Sequence, residues 1–171
     1  IVLADHGDGM GSHRMVTKQV SFYEEMTNVP FIIAGPGIHP RQKPVEDLLT
    51  QPTIDLLPTL CELAGIPVPS SKPGISLAPF LKGEKQKRQH PYAASEWHSE
   101  YEVTVSPGRM IRSPRYKYTH YLEGNGEELY DMLKDKGERR NLAHDPKYSK
   151  ILAEHRALLD DDIRRTQDDY R

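Results

Sequence analysis

An acid and an imidazole stand directly after a short apolar run at the start of this sequence. Residues 1–4 read Ile-Val-Leu-Ala and predict a strand that is buried on both faces. Asp5 and His6 follow this run at once. In open α/β sheets, ligands bind outside the carboxyl ends of the strands, where a carboxylate and an imidazole could both reach one metal ion. The pattern therefore predicts a metal-binding edge, although a strand followed by a plain turn would also fit Asp-His-Gly.

Glycines and basic side chains follow this pair within a dozen residues. Gly7, Gly9 and Gly11 would let the backbone turn tightly and pass close to a ligand. His13 and Lys18 then bring positive charge back to the same neighbourhood. An apolar strand, an acid with an imidazole, and a glycine-rich loop together are typical of a functional site.

This stretch resembles the sulfatase family of the alkaline-phosphatase-like superfamily. The matching text is Asp5-His6-Gly7, Gly11-x-His13, Lys18, Tyr23-Glu24-Glu25 and residues 29–33, Val-Pro-Phe-Ile-Ile. The Asp-His-Gly core is shared with metal-dependent phosphatases and phosphodiesterases, whereas the lysine spacing and the Tyr-Glu-Glu continuation are similar to sulfatases in particular. The resemblance implies that Asp5 and His6 ligate a divalent cation, usually calcium. It also implies that Lys18 contacts the sulfate and that His13 lies close to the substrate, so both are candidate catalytic and substrate-binding residues.

Two later segments carry the same resemblance. Residues 51–83 include Asp-Leu-Leu-Pro-Thr-Leu and Gly-Ile-Ser-Leu, and residues 128–142 match a sulfatase closing motif, E-L-Y-D-x-x-x-D-x-x-E-x-x-N-L. The resemblance implies an α/β fold, with part of an alkaline-phosphatase-like sheet and its helices followed by a small antiparallel sheet plus a C-terminal helix. It assigns residues 1–102 to the C-terminal part of the catalytic α/β domain and residues 103–171 to a small C-terminal subdomain.

The elements that must position these residues can be predicted from hydrophobic spacing. We expect helices over residues 17–27, 53–64 and 148–165, with Glu24 and Glu25 on a solvated helix face. A buried strand is expected over residues 29–34, and a further strand over residues 92–97. Three alternating runs at 110–112, 116–121 and 128–131 predict an antiparallel meander that is solvated on one face. Residues 166–171 are polar and predict a frayed end.

The nucleophile of a sulfatase is not visible in this sequence. The family makes a formylglycine from Cys-x-Pro-x-Arg or its serine version, and Cys61 has neither the proline nor the arginine. We therefore interpret Cys61 as a small core side chain. The chain opens inside a strand, which predicts a fragment whose missing N-terminal part supplies the formylglycine and further metal ligands. Such a fragment alone is expected to be inactive.

The identity of the metal and of the substrate stays open at this stage. A carboxylate oxygen of Asp5 suits calcium, whereas the His6 nitrogen suits zinc or manganese better, which keeps a metal-dependent phosphodiesterase or phosphatase as an alternative. A non-catalytic fold relative is the second alternative. For a sulfated carbohydrate or small sulfate ester, the further candidate substrate contacts are Arg14, Trp97 and His98. Trp97 and His98 could equally be a core aromatic residue and a surface imidazole.

Composition excludes several other classes. The chain has 171 residues, 28% of them charged, with a net charge of −2, so nothing in its electrostatics favours nucleic acid. No run of 18 apolar residues exists, so we expect no membrane span. A single cysteine excludes an internal disulfide. The resemblance implies a periplasmic or secreted protein, and no targeting segment is visible.

Overall fold

The computed structural model describes residues 1–16, 20–41, 43–46, 48–70, 73–86, 89–98, 106–123 and 126–170. These residues form two compact units. Unit 1 comprises Ile1–His6 and Val29–Pro91, and unit 2 comprises Gly7–Asn28 and Tyr92–Arg171. The domain boundary predicted between residues 102 and 103 lies outside the described residues and stays a prediction.

Unit 1 begins with a two-stranded antiparallel sheet. Strand β1 (Val2–Leu3) pairs with strand β2 (Phe31–Ile32), and Val2 lies opposite Ile32. Both strands were predicted at the right place, but they are shorter than residues 1–4 and 29–34. The prediction that they are buried is wrong for the described chain, because Val2 is 59% and Ile32 57% exposed. Among the described residues these strands pair only with each other.

A helix and a buried carboxylate organise the rest of unit 1. Helix α2 (Pro52–Ala64) starts with proline in its first turn and ends at Gly65 in the left-handed conformation, which confirms the prediction for residues 53–64. Asp55 is fully buried in this helix. Its carboxylate accepts hydrogen bonds from the Gln51 and Ile75 amides at 2.7 and 2.8 Å and contacts His90 Nε2 at 2.8 Å. The carboxylate therefore joins the start of α2 to the chain before a short helix, α3 (Ala78–Leu81).

Unit 2 contains a four-stranded antiparallel sheet. Its strands follow chain order, so the predicted meander is confirmed and the strand predicted at residues 92–97 joins it as an edge. In register, Ile111 lies opposite Tyr118, and Tyr118 lies opposite Leu129. The strands are β3 (Ala93–Trp97), β4 (Gly108–Arg112), β5 (Tyr116–Tyr121) and β6 (Glu127–Asp131).

One face of this sheet packs against the C-terminal helix. Helix α4 (Ser149–Thr166) buries an apolar stripe at helical spacing against the sheet, as predicted. His155 lies on this stripe and is a satisfied core histidine, since its ring nitrogens contact Ser113 Oγ at 2.9 Å and the Ile151 carbonyl at 2.8 Å. The buried core between the sheet and the helix, with flanking residues, comprises Tyr92, Ile111, Tyr118, Leu129, Leu142, Leu152, Leu159, Ile163 and Tyr170.

The other face of the sheet is not solvated, contrary to the prediction. Lys117 and Thr119 on this face are each only 1% exposed. Phe22 packs so closely that a Cβ added to Gly108 would lie 2.7 Å from its ring. Residues from the glycine-rich loop and the following segment cover this face, and alternation within the strands cannot reveal a cover that comes from a distant part of the chain.

The helix predicted over residues 17–27 and the frayed end predicted over residues 166–171 both differ from the structure. In the predicted helix over residues 17–27, only α1 (Glu24–Thr27) is helical among the described residues. The end of the chain is anchored rather than frayed: Tyr170 is 6% exposed, and Arg109 makes two hydrogen bonds to the Asp168 carboxylate.

None of the described helices is long and apolar enough to span a bilayer.

Candidate functional site

Asp5 and His6 stand at the end of β1, where the sequence predicts them. The Asp5 side chain is 89% exposed and that of His6 36% exposed. The His6 amide donates to Asp5 Oδ1 at 3.0 Å, and His6 Nε2 lies 3.7 Å from Asp5 Oδ2. The two side chains therefore offer a carboxylate oxygen and an imidazole nitrogen close enough to serve one cation.

The glycine-rich loop that follows is held by its own backbone. The Gly7 amide donates to the Met26 carbonyl at 2.9 Å, and the Gly11 amide donates to the Met15 carbonyl at 2.8 Å. A Cβ at Gly7 would lie 1.7 Å from the Glu25 carbonyl oxygen, so only glycine fits there. From the sequence, we expected the glycines to let the backbone turn tightly and pass close to a ligand. At Gly7 the structure shows a different reason for glycine, which is close packing against the backbone of Glu25.

His13 lies in this loop in an unusual conformation. Its φ is 50°, and Met10 and Arg14 also have positive φ values, of 46° and 62°. Non-glycine residues in this region are strained by about 1–3 kcal/mol each and cluster at functional sites. The His13 ring stacks on Tyr23, with ring centroids 3.7 Å apart and planes 3° apart, and its Nε2 lies 3.8 Å from Glu25 Oε2. The structure thus holds the imidazole in one orientation.

Glu138 completes a cluster around His13. Ligand atoms of His13, Glu25 and Glu138 lie within 4.8 Å of one another, and among the described residues this is the group of three whose spacing could hold a metal ion. Burial raises the pKa of the Glu138 carboxyl, and the neighbouring Lys117 ammonium opposes that shift. Because this ammonium lies 2.9 Å from Glu138 Oε1, the cluster already contains its own cation.

Lys117 is the buried centre of this arrangement. It is 1% exposed, and its ammonium donates to the Phe22 carbonyl at 2.8 Å and lies 2.7 Å from Glu24 Oε1. Arg112 adds a second positive charge, with its Nε 3.8 Å from the same Glu24 oxygen. The buried ammonium therefore has one hydrogen-bond acceptor, the Phe22 carbonyl, and two carboxylates in ion-pair contact, which offset its removal from water.

These residues were not predicted as site residues from the sequence. Glu24 and Glu25 were predicted to lie on a solvated helix face, which is wrong, because their side chains are only 25% and 30% exposed and face cationic or imidazole groups. Two features of the sequence could have indicated that these residues belong to the site. Lys117 interrupts an aromatic run in β5, and Glu138 belongs to the closing motif that the resemblance had already singled out.

The other predicted site residues take different positions. Lys18 lies outside the described residues, and Arg14 is exposed directly after His13 in the loop. Trp97 ends the edge strand β3, where its carbonyl accepts from Arg109 and its indole nitrogen is buried without a hydrogen-bond partner among the described residues. His98 is exposed directly after it. In the described part of the chain, the contacts join His13 to Tyr23 and Glu25 rather than to Trp97 or His98.

Cys61 lies on α2 and is half-buried with a free thiol. Unit 1 also has an apolar groove that adjoins Asp5 and includes Leu60, the residue before Cys61. Apart from Asp5 and Thr53, the lining side chains are apolar: Leu3, Ala4, Pro52, Leu56, Leu57 and Leu60. Of these, Leu3, Leu57 and Leu60 are exposed. Cys61 is not among the side chains that line this groove, and it lacks the proline and arginine of the formylglycine motif.

Comparison with known proteins extends these observations over the whole chain. A family model described as N-sulphoglucosamine sulphohydrolase, C-terminal, matches residues 11–165. The chain is 77% identical over all 171 residues to a Delta 4,5-hexuronate-2-O-sulfatase of Bacteroides thetaiotaomicron, and it covers 36% of that protein. It therefore spans about a third of the length of this relative.

Solved structures agree with the family match. A structure of a 2-O GAG sulfatase superimposes with a TM-score of 0.94 at 77% identity, covering 98% of this chain and 36% of the other. A second, solved in complex with its substrate D-glucosamine-2-N,6-O-disulfate, gives a TM-score of 0.83 at 25% identity, covering 98% and 34%. With the family model matching most of its length, this chain belongs to the sulfatase family and corresponds to the C-terminal region of its members.

Proposed function

We propose that this chain is the C-terminal part of a sulfatase that hydrolyses the 2-O-sulfate ester of a uronic acid in a sulfated glycan. The observation that carries the proposal is the 77% identity to a hexuronate-2-O-sulfatase along all 171 residues. Because this chain spans about a third of that relative, we propose that it belongs to a longer protein, which we call the whole protein. The geometry of the Asp5–His6 pair and of the strained His13 loop also supports the proposal.

Hydrolysis of a sulfate ester requires that negative charge on the non-bridging oxygens be neutralised. In this proposal, Lys18 supplies an ammonium to the sulfate, as the family resemblance implies. His13 is close to the substrate, and its stacking on Tyr23 fixes the plane in which its nitrogens can donate or accept a proton. Arg14 follows His13 in the strained loop and offers a further cation to a sulfated, carboxylated sugar.

A divalent cation fits the Asp5–His6 pair, and we propose calcium. Calcium ligands lie about 2.3–2.6 Å from the ion, so two ligand atoms 3.7 Å apart can bind the same ion. The exposed Asp5 carboxylate is the hard ligand, whereas the His6 nitrogen is the feature that would favour zinc or manganese. When bound, the cation would supply positive charge to the sulfate oxygens. The family resemblance implies that further metal ligands lie in the part of the protein that precedes this chain.

The nucleophile is proposed to be a formylglycine in the part of the protein that precedes this chain. Cys61 lacks the motif for this modification and lies half-buried on α2. The exposed apolar surface of unit 1 supports the proposal that a further part of the protein packs against this chain. Val2, Ile32 and Leu57 are 59%, 57% and 44% exposed, which is typical of a surface that another layer covers. The preceding part of the same protein is therefore the proposed partner of this surface.

The reaction class can be tested with the whole protein and a matched set of esters. We expect release of inorganic sulfate from a 2-O-sulfated unsaturated uronic acid disaccharide in the presence of calcium. A phosphate monoester and a phosphate diester, offered under the same conditions, should react at least about a hundredfold more slowly, because hydrogen-bonding and charge contacts tuned to one ester discriminate by such factors.

Three outcomes would contradict this assignment. Faster release of phosphate than of sulfate would favour the phosphodiesterase or phosphatase alternative. Glycan binding without release of either anion would favour a non-catalytic fold relative. Sulfate release by this 171-residue chain alone would refute the proposal that the nucleophile lies outside it.

A further inference from the structure

Glu138, in the closing motif at residues 128–142, is a buried acid to which the proposed function assigns no catalytic role. Glu138 is 3% exposed and has a φ of 48°, a left-handed conformation that is strained for a glutamate. Its Oε2 accepts a hydrogen bond from the Glu24 amide at 2.7 Å, across 114 residues of sequence. Its Oε1 lies 2.9 Å from the Lys117 ammonium, which is an ion pair without the alignment of a hydrogen bond.

Lys117 holds the same segment from the sheet. Its ammonium contacts the Phe22 carbonyl at 2.8 Å and Glu24 Oε1 at 2.7 Å, so it binds this segment through both backbone and side chain. Together with Glu138, it therefore fixes the chain on either side of Tyr23. Replacing one partner of a buried ionic cluster leaves the others uncompensated, so each contact depends on the rest.

The segment fixed in this way forms the support of the His13 loop. Tyr23 provides the ring on which His13 stacks, and Glu25 lies 3.8 Å from His13 Nε2. The Met26 carbonyl accepts from the Gly7 amide at the start of the loop. A shift of residues 22–26 would therefore move the histidine with them.

A metal-binding role for this cluster is less consistent with the contacts. His13, Glu25 and Glu138 have suitable spacing, but both oxygens of Glu138 already have partners and one partner is an ammonium. A divalent cation would have to displace these contacts beside a fixed positive charge. The same contacts are well suited to holding side chains in place.

We propose that Lys117 and Glu138 are positioning residues for His13, acting through the Tyr23–Glu25 segment. Neither side chain touches the substrate in this scheme. The expected effect on catalysis rests on the proposed function, because only the proposed function places His13 close to the substrate. The geometric part, that the sheet fixes the orientation of the His13 ring, stands on this chain alone.

Two measurements on the whole protein test the proposal. In protein with ¹³C-labelled histidine, with the His13 signal assigned from a His13→Asn variant, stacking on Tyr23 should shift the His13 ring resonances from their ordinary values. Lys117→Met should move these resonances toward ordinary values and lower kcat about tenfold with little change in KM. In a His13→Ala background the same substitution should no longer lower kcat, because the residue acts through His13.

The control is Tyr118→Phe, on the opposite face of the same strand, which removes the hydrogen bond to Glu127 and does not touch the segment. It should leave the His13 resonances and kcat unchanged. Should Lys117→Met fail to fold, Glu138→Gln provides the same test, because it removes the charge that pairs with Lys117.

Folded Lys117→Met protein with unchanged His13 resonances would overturn the proposal. An equal loss of kcat in the His13 and His13→Ala backgrounds would also overturn it. Absence of sulfatase turnover in the wild-type protein would instead refute the proposed function, and the resonance shifts would still decide whether Lys117 positions the ring.

Discussion

The imidazole of His13 lies flat on the phenol ring of Tyr23, with their centroids 3.7 Å apart and their planes 3° apart. Burial raises the pKa of the Tyr23 phenol, which keeps this ring neutral beneath the imidazole. The pair joins the strained glycine-rich loop to a segment anchored on the sheet. The candidate site therefore depends on packing within unit 2 as much as on the residues that contact a substrate.

Replacing Gly7 by alanine should destabilise the whole protein by about 1–3 kcal/mol or more, as overpacking does. The added Cβ would lie 1.7 Å from the Glu25 carbonyl oxygen, so the backbone must move and the Gly7 to Met26 hydrogen bond must lengthen. Urea unfolding would measure the loss. Gly137→Ala is the control, because its Cβ meets only a flexible arginine side chain and should change the free energy of unfolding little. Equal stability of the two variants would contradict the packing described at Gly7.

Asp55→Ala should lower the free energy of unfolding by about 3 kcal/mol or more, since each buried donor left unpaired costs about 1–3 kcal/mol. The carboxylate is fully buried and serves two backbone amides and the His90 ring. Glu62→Ala on the exposed side of the same helix should change stability by no more than about 0.5 kcal/mol. Chemical unfolding of both variants gives the comparison, and a loss below 1 kcal/mol for Asp55→Ala would be inconsistent with a fully satisfied buried acid.

Asp168→Ala should destabilise the protein by about 3 kcal/mol, because it leaves the buried Arg109 guanidinium without its carboxylate. The pair is bidentate, at 2.5 and 2.7 Å, and Arg109 also lies over the ring of Tyr170. Asp161→Ala removes an exposed i,i+3 pair on α4 and should cost less than about 0.5 kcal/mol. Thermal unfolding would compare the two, and similar losses would contradict an anchored C-terminal end.

The same pair predicts a pH dependence of stability. Hydrogen bonding to Arg109 holds the pKa of the Asp168 carboxyl below its ordinary value of 3.8. A lowered folded-state pKa means that the contribution is complete above the ordinary value and is lost as the pH falls through the folded-state value. The difference in the free energy of unfolding between wild type and Asp168→Ala should therefore be constant from pH 7 to about pH 5 and shrink below about pH 4. A difference that stays constant down to pH 3 would contradict the ion pair.

Asp5→Asn and His6→Ala should each weaken calcium binding by the whole protein roughly tenfold or more, because each removes a proposed ligand. Isothermal titration of metal-free protein would measure the dissociation constants. Asp8→Asn is the matched control, since Asp8 accepts a hydrogen bond from the Met10 amide that asparagine can also accept. Unchanged affinity in Asp5→Asn would remove this carboxylate from the proposed metal site.

Local patterns in the sequence predicted the elements whose partners are near in sequence or regular in spacing. Helices α2 and α4 and strands β4 to β6 fall in this group, because periodicity alone determines which faces are buried. The burial of Lys117 could not be predicted in this way. Its acceptor on Phe22 lies 95 residues away, and alternation in β5 assigns that face to solvent unless the cover is known.

The site was predicted only in part for the same reason. The Asp5–His6 pair and the His13 loop follow directly from contiguous residues, whereas Glu25 and Glu138 join His13 only through the tertiary fold. The end of the chain is a further case, because the contact between Arg109 and Asp168 spans 59 residues. The short, exposed β1 and β2 were predicted as buried because apolar strands normally lie between two layers.

Release of sulfate from paired isomers tests the central claim most directly. The whole protein should be given two unsaturated disaccharides that differ only in the site of sulfation, 2-O on the uronic acid or 6-O on the hexosamine, and free sulfate should be followed over time. The account predicts rapid release from the 2-O isomer and little from the 6-O isomer. Release from neither isomer, with calcium present and the protein folded, would contradict it.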